Sequence, residues 1–204
     1  GASSDIKATT ITADTVALDA DGISTAASVG NNAALTIGGA LADSGSVTLS
    51  HGRIVTILSA GDDSGISFTV VGTDVNGDAQ TETITGANAG TATGSKYFLT
   101  ITSITAVGNP AGNVSAGINA SASDVIFAGR SRLRGAYYTS TATAGTVDLL
   151  NTSPTGSSIM KISSVASATA TRNITVPSDG VLFDSGIYIQ YTVSTFLTLT
   201  IFHA

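Results

Sequence analysis

Apolar residues recur at every second position in short runs along this chain, and nearly every run is closed by Gly, Asn or Asp. Ile187, Ile189, Tyr191 and Val193 alternate with polar residues, as do Leu197, Leu199 and Ile201, and Ile66, Phe68 and Val70. A period of two places such residues on one face of a strand, and turn-formers at regular spacing divide the strands. The straight-chain helix formers are scarce: Met occurs once, and Glu82 is the sole glutamate, whereas Ser and Thr fill 57 of 204 positions. The fold class that follows is all-β, of sandwich or barrel type.

Strands are expected at Thr15–Leu18, Ala34–Ile37, Val47–Leu49, Ile54–Leu58, Ile66–Val71, Thr81–Thr85, Tyr97–Ile104 and Val114–Ile118. Further strands are expected at Val125–Phe127, Leu133–Tyr138, Thr146–Leu150, Ile159–Ser163, Asn173–Val176, Ile187–Val193 and Leu197–Phe202. Two hairpins can be argued in register. A two-residue loop at Asn76-Gly77 would split the apolar set, whereas the three-residue loop Val75-Asn76-Gly77 puts Phe68 opposite Ile84 and gives Gly77 the positive φ. At the other end, a loop at Ser194-Thr195-Phe196 would pair Val193 with Leu197 and Ile189 with Ile201 on one apolar face.

Charge divides the chain. Residues 1–128 carry 11 acidic and 3 basic side chains, whereas 129–204 carry 3 acidic and 5 basic. With the Gly/Ala/Ser-rich stretch Ala116–Ser123 nearby, this predicts a boundary near residue 128. The expected organisation is an N-terminal arm or edge strands at 1–40, an acidic β-sandwich domain at 41–128, and a C-terminal β domain at 129–204.

Several function classes are disfavoured. Cys is absent, which excludes a disulfide framework and thiolate metal sites. The net charge of -6 argues against nucleic acid as a partner, and no apolar run approaches the roughly 20 residues of a membrane-spanning helix. The start, Gly1-Ala2-Ser3-Ser4-Asp5, has neither the basic region nor the apolar core of a signal peptide. His51 and His203 come without a G-x-S-x-G elbow and read as turn or strand-end residues. Asp62-Asp63 lie in a Gly-flanked turn, and Glu82 lies mid-strand, so no carboxylate pair suggests acid–base work. Four Asn-x-Ser/Thr sequons carry no information at this Ser/Thr content. No cofactor is implied.

Two groups remain. Asp74 and Asp78 face each other across the expected hairpin tip, a like-charge pair that a calcium ion would relieve; solvated turn residues are the simpler account. Arg130, Arg132 and Arg134 alternate with Ser131 and Leu133 and are expected to project from one strand face. They could lie against solvent, pair with the Asp-rich half of the chain, or make an ionic contact with a partner.

The segments Gly52–Ile57, Ser64–Val70, Gly72–Gly77, Thr81–Gly86 and Tyr97–Gly108 resemble virion structural proteins of tailed bacteriophages, particularly those of marine and cyanobacterial hosts. Pro177–Phe183 resembles a module of similar phage proteins, so the resemblance covers roughly residues 45–204. It implies a non-enzymatic head decoration (cement) protein on the capsid exterior, self-associating as a homotrimer and bound to the major capsid protein. A tail-associated fibre, baseplate or adaptor module, a module that binds host glycans, a depolymerase and a cell-surface filament subunit are the competing roles. Repeats or heptads would mark a fibre and exposed aromatics a glycan binder; neither repeats, heptads nor Trp occur.

Overall fold

The computed structural model describes residues 5–166 and 168–204. Among these there are fifteen strands and no helix, arranged in two antiparallel sheets. The strands are β1 (Lys7–Thr12), β2 (Asp19–Ser28), β3 (Ala42–Asp43), β4 (Ser46–Ser59), β5 (Ser67–Thr73), β6 (Ala79–Thr85), β7 (Thr91–Val107) and β8 (Asn113–Phe127). They continue as β9 (Ser131–Ser140), β10 (Gly145–Asn151), β11 (Ser158–Ser164), β12 (Thr171–Thr175), β13 (Val181–Phe183), β14 (Ile187–Thr192) and β15 (Phe196–His203). The chain divides into two compact units, one of Ala17–Ala120 and one of Ser121–Ala204 joined by residues up to Val16.

In the Ala17–Ala120 unit, the first half of β8, β4, β7, β5 and β6 lie side by side, with β2 added to β8 and β3 to β4. Ile57, Phe68, Phe98, Ile101 and Ile104 fill its core. The β5–β6 hairpin has the register that the three-residue loop requires. Phe68 pairs with Ile84, Thr73 with Ala79, and Gly77 sits at φ 86°. Segment 29–41 forms no strand beyond a single bridge from Ala34 to Thr105, and covers the core instead through Val29 and Leu35.

In the other unit β1, β15, β9 and β12 form one sheet, with β13 also on β9; β11, β10, β14 and the second half of β8 run side by side opposite it. Leu133, Ala136 and Tyr138 of β9 and Leu199 and Ile201 of β15 share one core with Val147 and Leu149 of β10 and Ile187, Ile189 and Tyr191 of β14. This is a sandwich: each sheet turns its alternating apolar face to the other.

That arrangement corrects the expected C-terminal hairpin. β14 pairs with β8 and β10, and β15 pairs with β1 and β9, so the two strands belong to different sheets. Their apolar faces meet across the core instead of lying in one plane. Residues 193–195 carry the chain from sheet to sheet, with Ser194 at φ 61° and its N–H donated to the Asp14 carbonyl at 2.8 Å.

The divisions also fall elsewhere than the charge pattern suggests. β1 pairs with β15 at six positions, from Lys7 opposite His203 to Thr12 opposite Thr198, and Ala13 is buried in the same core. Residues 5–16 are therefore part of the C-terminal unit, while Asp19–Ser28 belongs to the other. The division after Ala120 lies inside β8, within a strand. Its small residues are explained by close packing. A Cβ on Gly117 would fall 1.8 Å from the Asp19 carbonyl oxygen, so the neighbouring backbone of β2 leaves space for hydrogen alone. Ala17–Ala120 carries eight acidic and two basic residues, and the other unit carries six of each.

Candidate functional site

The three arginines do not form one patch. Arg130 precedes β9, and a bulge opposite the Phe202–His203 step interrupts the alternation along that strand. Arg132 donates from Nη1 to the carbonyls of Asp179, at 3.2 Å, and Gly180, at 3.5 Å; Arg134 Nη1 donates to the Ser178 carbonyl at 3.2 Å. Both guanidinium groups thus hold the turn at 177–180, which closes through a 2.7 Å bond from the Gly180 N–H to the Pro177 carbonyl. Their partners are backbone carbonyls.

Arg130 lies elsewhere, in a cleft of about 290 Å³ at one end of the sandwich, lined also by Asp5, Lys7, Phe127, Ser131, His203 and Ala204. The fold brings these together because Lys7 of β1 lies directly opposite His203 of β15, and Ser131 opens β9 beside it. The His203 ring packs on Phe127 with centroids 5.1 Å apart. Its Nε2 is 3.1 Å from Thr9 Oγ1, and its Nδ1 is 3.5 Å from Ser131 Oγ. Ser131 donates its hydroxyl hydrogen to the Ala204 carbonyl oxygen at 3.2 Å. With that hydrogen committed, Ser131 can only accept from His203, which places the ring proton on Nδ1 and leaves Nε2 to accept from Thr9. A serine nucleophile needs the opposite polarity, its proton directed at an imidazole acceptor. Burial, and then the Lys7 ammonium, hold the His203 imidazolium below its ordinary pKa.

The remaining acidic groups are tied into local structure. Asp74 Oδ1 accepts the N–H groups of Asn76, at 2.8 Å, and Asp78, at 3.0 Å, so one carboxylate of the hairpin pair caps its own loop. Glu82, buried in β6, accepts from Ser95 N, at 2.6 Å, and Ser95 Oγ, at 2.8 Å, and from Lys96 N, at 3.3 Å. Asp62 takes Ser64 Oγ at 2.7 Å, and that bond, then the Ser64 N–H, lowers its pKa. Among the described residues no group of three or more His, Asp or Glu side chains is placed to hold a metal ion.

One polar network lay beyond the reach of sequence patterning. Tyr191, buried on β14, donates its hydroxyl to Asp124 Oδ2 at 3.0 Å and accepts the Asp14 N–H at 3.1 Å. Burial, then the Asp124 carboxylate, push the phenol far above its ordinary pKa. Neither Asp14 nor Asp124 stands in a recognisable motif, and 177 residues separate Asp14 from Tyr191. The cleft was equally hidden: Lys7 and His203 meet only through the β1–β15 pairing.

Compared with known protein families, with curated proteins and with solved structures, the chain matches none.

Proposed function

We propose that the chain is a non-enzymatic virion structural protein of the head decoration type, which binds the major capsid protein on the outside of a phage head and stabilises contacts between capsid subunits. Beside the sequence resemblance, one observation supports this reading: the outer face of the β1-β15-β9-β12 sheet. Three rows cross it, Ala8–Phe202–Gly135–Thr175, Thr10–Thr200–Tyr137–Asn173 and Thr12–Thr198–Thr139–Thr171. None of the twelve positions is charged. Tyr137 is 47% exposed and Phe202 36%. Charge depletion with exposed aromatic side chains is the composition of a protein interface centre, and is unusual for a solvated strand face; the same two rings are what a glycan-binding module would use.

The face is also preordered. Thr10 and Thr200 share a hydrogen bond of 2.7 Å across strands, and Thr139 and Thr171 one of 3.2 Å. Rows fixed in this way lose little conformational freedom on docking. Self-association as a homotrimer would let three such faces engage neighbouring capsid subunits at once. Arg130 is the arginine left over from the Arg132 and Arg134 turn contacts to meet a partner.

Quantitative mass spectrometry of purified particles tests the reading. A copy number comparable to that of the major capsid protein is expected, because only the shell offers so many equivalent positions. A few copies per particle would move the protein to the tail or a portal-proximal ring. Absence from particles would overturn the virion reading.

A further inference from the structure

We propose that the cleft formed by Lys7, Phe127, Arg130, Ser131 and His203 is a binding site for an oxyanion, a phosphate-type group or a carboxylate, held between the Lys7 ammonium and the Arg130 guanidinium. The proposal stands apart from the virion reading and survives if that reading fails. Lys7 and Arg130 converge on the cleft from separate elements, β1 and the turn between β8 and β9. Neither side chain has a hydrogen bond or ion pair with another described residue, so both keep their full donor capacity. Asp5 is the one carboxylate among the lining side chains, against two cationic ones. An arginine fork and an ammonium lining one cleft suit two or more oxygens of one anion.

The floor contributes a sensor. Phe127 shields one side of the His203 ring, and Ser131 and His203 are each 3% exposed, so an anion at the rim meets a partly desolvated imidazole. Lys7, Arg130 and Asp5 are the charged side chains that line the cleft with it, and Lys7 already disfavours its protonation. An anion seated between Lys7 and Arg130 reverses that field. Linkage then requires that anion binding favour the imidazolium and that protonation tighten anion binding by the same factor.

The test is an NMR titration of both histidines, with sulfate as the tetrahedral probe and acetate as the carboxylate probe. Ionic strength is held constant with sodium chloride, so that simple screening of Lys7 cancels. The His203 pKa should rise by about half a unit, the scale of one charge several ångströms away near the surface. His51, in the other unit, serves as the internal reference. A rise with sulfate alone assigns a phosphate-type ligand, and a rise with acetate assigns a carboxylate such as an acidic side chain. The proposal is overturned if neither anion moves His203, or if His51 moves equally. It is also overturned if a folded Lys7→Gln/Arg130→Gln double variant keeps the whole shift.

Discussion

Tyr138 and Tyr191 face one another's sheets across the same core, and both touch Phe196, with ring centroids 5.9 and 4.8 Å from it. Removing their hydroxyls should nevertheless have opposite effects. Tyr138 is fully buried, and its hydroxyl has no hydrogen-bond partner among the described residues. Burying an unpaired hydroxyl costs about 1–3 kcal/mol, and Phe keeps the ring and nearly all the packing. Tyr138→Phe should therefore stabilise the unit by about 1 kcal/mol after the small void is counted. Tyr191→Phe deletes a bond to a carboxylate, worth about 1.5–3 kcal/mol, and orphans the Asp14 N–H, for a loss of about 2–4 kcal/mol. Urea unfolding followed by tyrosine fluorescence can read both, because four of the five tyrosines lie in this unit. With an m-value of about 2 kcal/mol/M, the midpoint should rise by about 0.5 M for Tyr138→Phe and fall by about 1–2 M for Tyr191→Phe. A Tyr138→Phe variant less stable than its parent would refute the reasoning, since it would mean that the hydroxyl is satisfied in solution.

Three further outcomes follow from the same contacts. Because His203 is held below its ordinary pKa, the unfolded chain binds more protons than the folded one beneath about pH 6.5. Stability should fall as pH drops through that window, and thermal melts of His203→Gln should lose this part of the pH dependence. Tyr191 gives the mirror case: its raised pKa means that stability is lost as pH climbs past about 10, and the alkaline absorbance change on unfolding should be smaller in Tyr191→Phe than in the parent. Gly117→Ala must displace backbone and should cost several kcal/mol, whereas Gly77→Ala has open space around its Cβ and should cost about 1 kcal/mol of left-handed backbone strain; chemical unfolding should separate the two.

What the sequence disclosed and what it hid follow from the range of the interactions. The β5–β6 register was legible because loop length and side-chain alternation both act within twenty residues, and only one loop puts Phe68 opposite Ile84. The same alternation misleads at β14 and β15. Two amphipathic strands separated by a short link can bury their apolar faces in one sheet plane or across a sandwich, and the period of two is identical in both. What decides is which other strands claim their edges, and β1, some 190 residues away, claims β15.

The arginines make the same point at the level of chemistry. Spacing alone put three like charges on one face, where they would repel unless an anion lay opposite. In the fold Arg132 and Arg134 spend their donors on the carbonyls at 178–180, a demand set by a turn more than forty residues downstream. Arg130, one residue before the strand begins, escapes that demand and joins Lys7 instead. An Arg132→Ser/Arg134→Ser variant should therefore loosen the 177–180 turn, seen as faster amide exchange at Gly180, and leave the Arg130 cleft intact. Protection at Gly180 equal to that of the parent would mean that β13 alone holds the turn, and that the two guanidinium groups are free to serve a partner after all.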